Sequence, residues 1–114
     1  KDPNFEIIGH TFTHVDLRNL NDYYLSRELC ASKETLEIMT NTKINTLIYP
    51  AGKYDKNTIK KAKTCGYRYG FTTQPGANSI QQLENNPFEL KRIRVSRDTT
   101  IESLTQYFQE KKTD

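Results

Sequence analysis

Histidine is scarce in this chain of 114 residues: His10 and His14 are the whole supply, and they stand four positions apart. Cysteine is equally scarce. Cys30 and Cys65 are too few to form a disulfide framework, and each falls inside a predicted helix, so they read as two buried free thiols that leave the redox compartment open. No apolar run approaches the length of a membrane-crossing helix, and no charged-then-apolar leader opens the chain at Lys1-Asp2-Pro3. That abrupt start is compatible with an upstream signal or anchor. Net charge is small as well: 17 Lys and Arg against 14 Asp and Glu leave +3, too mild a balance to argue for nucleic acid. There is no internal repeat and no linker dividing two domains, so residues 1–114 read as one compact domain or a piece of a larger one.

Charged residues make up 27% of the chain, and the basic ones cluster at 53–63 and 91–97. Lys56, Lys60, Lys61 and Lys63 read as one solvated helix face. A nucleic-acid module built on them would bind with strong salt dependence.

Along the chain, Glu6-Ile7-Ile8-Gly9 reads as a short buried strand that runs into the histidine segment. Asn21 caps a helix that Leu20 and Leu25 staple, with Leu25, Leu29, Leu36 and Met39 as its apolar stripe and Ser32 leaving room for close packing. Asn41 tolerates the left-handed conformation that ends it. Thr46-Leu47-Ile48-Tyr49 is a second strand stopped by Pro50. Asp55 caps the next helix, Tyr54 and Ile59 staple it, and Gly66 supplies its exit. Tyr69-Gly70-Phe71-Thr72-Thr73 is a third strand, residues 74–90 form a long connection, and Arg92-Ile93-Arg94-Val95 alternates like a half-buried fourth strand. A last helix opens on the capping box Thr99-Thr100-Ile101-Glu102, with Ile101, Leu104 and Phe108 on one face. This alternation predicts an α/β fold of parallel strands and crossover helices, with ligand chemistry at the strands' C-terminal ends. The histidine segment and Pro50-Ala51-Gly52 then share one end of the sheet.

Two neutral imidazoles on one side of a turn can both present a nitrogen to a divalent ion. The same spacing also occurs in solvated or hydrogen-bonded surface pairs. The surrounding residues add to it. Gly9-His10-Thr11-Phe12-Thr13-His14-Val15-Asp16-Leu17 resembles the His-Ser/Thr-x-x-His motif of the polysaccharide deacetylases, the NodB-homology group or carbohydrate esterase family four. The likeness continues in order through Ser32-Lys33, Tyr49-Pro50-Ala51-Gly52-Lys53-Tyr54, Gly66-Tyr67, Phe71-Thr72-Thr73-Gln74-Pro75-Gly76 and Leu90-Lys91-Arg92-Ile93-Arg94-Val95.

The resemblance implies a distorted (β/α) barrel, incomplete in this chain, and metal-dependent hydrolysis of N-acetyl groups on an N-acetylglucosamine-containing polysaccharide. It implies that His10 and His14 are two of three protein ligands to Zn²⁺ or a similar divalent ion, with an Asp as the third. By position, the backbone N–H of Ala51 is the oxyanion donor, and Tyr49, Pro50 and Arg94 border the substrate. Read locally, the Pro and Gly of that segment make a strand-ending turn, and Arg92 and Arg94 a solvent-facing strand edge. Polymeric sugar substrates imply a secreted or cell-surface place and association with the cell envelope.

The departures from the family pattern are equally specific. The Thr-Phe-Asp-Asp motif that supplies the base and the Asp ligand has no counterpart before His10, where Asp2 sits beside Pro3 and Glu6 stands in another context. This chain therefore looks like the later part of a catalytic domain, inactive or nearly so by itself. Ile48 replaces the arginine that orients the base in many relatives, and with two histidines there is none left for a general acid. The alternative is a non-catalytic, glycan-binding or structural relative, in which Tyr49, Tyr54, Tyr67 and Tyr69 offer sugar-stacking faces or core packing. Four predicted strands cannot close a barrel, which predicts self-association, strand exchange or contact with a further N-terminal segment.

Overall fold

Asn21 opens the first helix by accepting a hydrogen bond from the Tyr24 N–H at 2.9 Å. The computed structural model describes residues 6–93 and 95–112. Helix α1 (Asp22–Ser26) runs through a π-helical turn (Arg27–Ala31) into α2 (Ser32–Thr40). Asn41 ends α2 in the left-handed region, φ 50° and ψ 44°. Leu25 and Leu29 are buried and Leu36 packs at the edge of the core, but Met39, expected in the same stripe, is 76% exposed. The π turn explains the difference. Its wider i→i+5 spacing shifts the phase of everything after it, so an α-helical period carried through from Leu25 no longer points Met39 inward.

Strands β1 (Thr46–Ile48), β2 (Tyr69–Pro75) and β3 (Leu90–Arg92) form a parallel sheet in the order β1-β2-β3. The crossover between β1 and β2 is α3 (Lys56–Cys65), opened by the capping box of Asp55 and Thr58 and closed by Gly66 at φ 99°. The expected strand at 6–9 is reduced to one parallel bridge, Gly9 to Leu47. Its bonds are Gly9 N–H to Thr46 O at 2.8 Å and Ile48 N–H to Gly9 O at 2.9 Å. Glycine is required there because a Cβ would collide with the Tyr67 hydroxyl.

The expected long connection contains a helix, α4 (Ile80–Asn85), capped by Ser79. It buries no residue: Ile80 and Leu83, three positions apart, are both exposed, and six residues are too few to sustain an apolar period. Strand β3 lies two residues earlier than expected: Leu90 anchors it at 1% exposure, whereas Val95 is 69% exposed. Helix α5 (Ile101–Lys112) is present, but its reciprocal cap joins Thr100 to Ser103, and Ile101 is exposed instead of lining a buried face. The side chain of Phe108 lies outside the described residues.

Leu17, Leu25, Leu29, Ile44, Leu47, Tyr49, Ala62, Tyr67 and Phe88 form the core. The thiols expected to be free are joined: Cys30, in the π-helical turn, is disulfide-bonded to Cys65 at the end of α3. Their Cα atoms are 5.0 Å apart, within bridging range, because α3 packs against the turn. Thr46, Ile48, Tyr69, Phe71 and Leu90 line an open groove. Leu47, between Thr46 and Ile48, points the other way into the core, as strand alternation requires.

Candidate metal site

The bridge at Gly9 delivers His10 to the C-terminal end of β1. There His10 Nδ1 lies 2.8 Å from Ile48 O. A carbonyl can only accept, so Nδ1 carries the proton and Nε2 keeps its lone pair for another partner. Metal-ligating histidines commonly donate their second ring nitrogen in this way, which fixes tautomer and ring orientation. The His14 ring stands edge-on to the His10 ring, with centroids 4.8 Å apart and planes at 68°. Both residues are exposed.

The turn between them is strained. Thr11 at φ 67° and His14 at φ 55° are left-handed residues without being glycine. Thr11 Oγ1 accepts the His14 N–H at 3.2 Å, closing the turn on itself. Three side chains tie the loop to the helices. Glu28 accepts the Phe12 and Thr13 N–H groups, each at 3.0 Å. Asp55 Oδ2 accepts the Asn19 N–H at 3.0 Å, and Thr58 Oγ1 donates to Leu17 O at 3.2 Å. Asn19 is itself left-handed at φ 62°.

The second loop follows β1 at the same end. Pro50–Gly52 form a 3₁₀ turn in which the Gly52 N–H donates to Tyr49 O and the Lys53 N–H to Pro50 O. Ala51 is exposed, sits at φ 54°, and its N–H has no partner among the described residues. An outward, unpaired N–H is what an oxyanion donor must offer.

Two expected substrate contacts are corrected. Tyr49 is completely buried, its hydroxyl donating to Phe88 O at 2.7 Å and its ring stacked on Tyr54 at 4.6 Å. Pro50 is also fully buried. Neither side chain presents a face to a sugar, because β1 turns Tyr49 into the core beside Leu47. Tyr67 is likewise 4% exposed and is a core residue, not a stacking platform. Arg94 lies outside the described residues. Arg92 is exposed beside the open groove.

The imidazoles supply two donors of a three-ligand set, and no group of three His, Cys, Asp or Glu able to hold an ion occurs among the described residues. Asp16, close to His14 in sequence, is turned to Arg18 in a 2.7 Å ion pair. The Arg18 guanidinium holds that carboxyl well below the usual carboxylate range.

The family model described as polysaccharide deacetylase matches residues 1–70. The chain belongs to the polysaccharide deacetylase family. It is 36% identical over 90 residues to the Bacillus subtilis protein named as polysaccharide deacetylase YxkH, covering 79% of this chain and 31% of that one. It superposes on the Streptococcus pyogenes deacetylase PplD, solved in complex with acetate, with a TM-score of 0.76 and 31% identity over 86% of this chain and 42% of that one. The polysaccharide deacetylase BC0361 of Bacillus cereus matches with a TM-score of 0.78 and 29% identity over 90% of this chain and 32% of that one. The chain thus spans under half the length of each of these relatives, and its parallel sheet and helices are part of a deacetylase fold.

Sequence reasoning missed Glu28, Asp55 and Thr58 as holders of this deacetylase loop. Glu28 left a signal: a charged residue between Leu25 and Leu29 interrupts the apolar stripe on its buried side.

Proposed function

We propose that the protein serves in metal-dependent hydrolysis of N-acetyl groups on an N-acetylglucosamine-containing polysaccharide, with His10 and His14 as two ligands of a divalent ion such as Zn²⁺. The observation that carries this reading is the His10 imidazole: its Nδ1–H is committed to Ile48 O, which leaves Nε2 bare at 4.8 Å ring separation from His14. Family membership supports deacetylation of a polysaccharide. PplD holds acetate, the acid that removal of an acetyl group releases.

In such a reaction the amide C–N bond breaks, a water oxygen bonds to the acetyl carbon, and the amine nitrogen takes up a proton. A divalent ion held in part by His10 and His14, with positions left open, would lower the pKa of water and polarise the acetyl carbonyl. The Ala51 N–H, unpaired beside the histidine loop, supplies a hydrogen bond to the oxygen that becomes negative. Completing the ligand set requires an Asp beyond the described residues. Polymer substrates favour a secreted or cell-surface location with cell-envelope association. The Cys30–Cys65 disulfide supports that location, since such bonds persist in oxidising compartments. Among the described residues no helix is long and apolar enough to cross a membrane. The open groove along β1 to β3 supports self-association.

A second reading, a glycan-binding relative without catalysis, is favoured by Ile48 in place of the base-orienting arginine. One assay separates the two. The intact protein, given acetylated glucosamine oligomers and divalent metal, releases acetate on the first reading and binds without release on the second. His10→Ala and His14→Ala should each abolish metal retention; unchanged stoichiometry removes them as ligands.

A further inference from the structure

Glu28 is the one acidic side chain buried among the described residues, at 6% exposure, and it faces the histidine loop from the π-helical turn. Oε1 accepts the Phe12 and Thr13 N–H groups, and Oε2 accepts the Thr13 hydroxyl, all at 3.0 Å. These donors belong to the middle of the span between His10 and His14. Hydrogen bonds to an ionised carboxylate are roughly twice as strong as neutral ones, and three converge on this group.

The span needs such a clamp. Thr11 and His14 hold left-handed conformations that persist only where their surroundings impose them. The loop's own closure, His14 N–H to Thr11 Oγ1 at 3.2 Å, is an exposed bond. Asp16 is engaged with Arg18, and Asp55 acts five residues beyond His14. A leucine at position 28 would extend the buried stripe of Leu25 and Leu29, so a buried carboxylate is costly unless its partners use the charge.

We propose that Glu28 is the positioning residue of the metal site, holding the two imidazoles in their facing arrangement by clamping the backbone between them. The role rests on the reading of His10 and His14 as ligands, but it shows in the metal-free protein too. With the loop clamped, His10 stays where Ile48 O fixes its tautomer; with the clamp removed, that bond loosens and Nε2 takes up the proton.

The test uses the intact protein with ¹⁵N-labelled histidine, free of metal, with His10→Gln and His14→Gln for assignment. NMR should find His10 in the Nδ1–H form. Glu28→Ala should move it toward the Nε2–H form and lower Zn²⁺ affinity about 10- to 100-fold, measured against a chromophoric chelator. Glu28→Gln keeps an acceptor for both backbone N–H groups and should restore most of both properties. Thr13→Val removes one of the contacts at an exposed residue and should give a smaller change of the same sign. An unchanged His10 tautomer in folded Glu28→Ala, or in Thr13→Val if Glu28→Ala does not fold, overturns the proposal. Should His10→Ala and His14→Ala leave Zn²⁺ affinity untouched, the metal reading fails separately, and the tautomer still decides the role of Glu28.

Discussion

Tyr49 shows what a single side chain does when strand geometry, not motif position, decides where it goes. Its hydroxyl reaches Phe88 O over Gly70, where any Cβ would collide with it. Tyr49→Phe leaves that buried carbonyl without this donor and should cost about 1–3 kcal/mol in chemical denaturation, with no change in glycan affinity. Burial raises the Tyr49 pKa, with Tyr54 and Glu89 adding to it. Burial also pushes the Tyr54 hydroxyl from 10.0 to about 12, helped by its hydrogen bond to Glu89. A phenol with a raised native pKa favours folding while protonated. Its stabilisation is complete below the unfolded value of 10.0 and is lost as pH rises through about 12. Unfolding midpoints should therefore fall above pH 10 and fall less steeply in Tyr54→Phe. The four-residue spacing made the meeting of His10 and His14 legible in the sequence. The burial of Tyr49 was not legible, because Thr-Leu-Ile-Tyr is apolar or β-branched throughout and gives no clean alternation to show which face is inward. Glu28 was hidden for another reason: its partners Phe12 and Thr13 lie 16 and 15 residues away, beyond any local period.

Among the elements, α3 both crosses from β1 to β2 and steadies the histidine loop through its first turn. Asp55 accepts the Thr58 N–H at 2.9 Å as a cap and the Asn19 N–H at 3.0 Å as a tether. Asp55→Ala loses both and should cost at least the ~1–2 kcal/mol of a lost cap, whereas Asp55→Asn should recover much of it. Hydrogen bonds from Asn19 first and Thr58 second lower the Asp55 pKa below 3.8. A carboxyl depressed in the native state stabilises above its unfolded pKa and loses that contribution as pH falls through the native value. The gap between wild type and Asp55→Ala in urea midpoint should thus be full at neutral pH and narrow on acidification below about 4. Caps of this kind were readable at Asn21, Asn41, Asp55 and Gly66 because each is settled within a few residues. The π-helical turn was not, since no residue type marks it, and Met39 was misplaced in consequence while Leu36 still reaches the edge of the core. Helix α4 and the start of β3 escaped for lack of a buried face or by an offset of two residues, errors that only neighbouring elements can correct.

At the scale of the whole molecule, the order of strands and crossover helices was legible from alternation, and the parallel sheet follows it. The long-range tie across it was not. Two cysteines in two helices give no indication of their separation in space, and only the packing of α3 against the π-helical turn brings Cys30 to Cys65. That bond links the turn carrying Glu28 to the helix carrying Asp55 and Thr58, the three residues that hold the histidine loop. With the cysteines 35 positions apart in sequence, restriction of the unfolded chain is worth roughly 4 kcal/mol. For a chain of 114 residues that is a large share of total stability. The Cys30→Ser/Cys65→Ser double variant should lose about that much in guanidinium unfolding. A thiol reductant should bring the wild type to the same midpoint and leave the double variant where it is. Its metal affinity should fall too, since both anchors of the loop are then free to separate. Coincident midpoints for oxidised wild type and double variant would show that packing alone holds the two helices together.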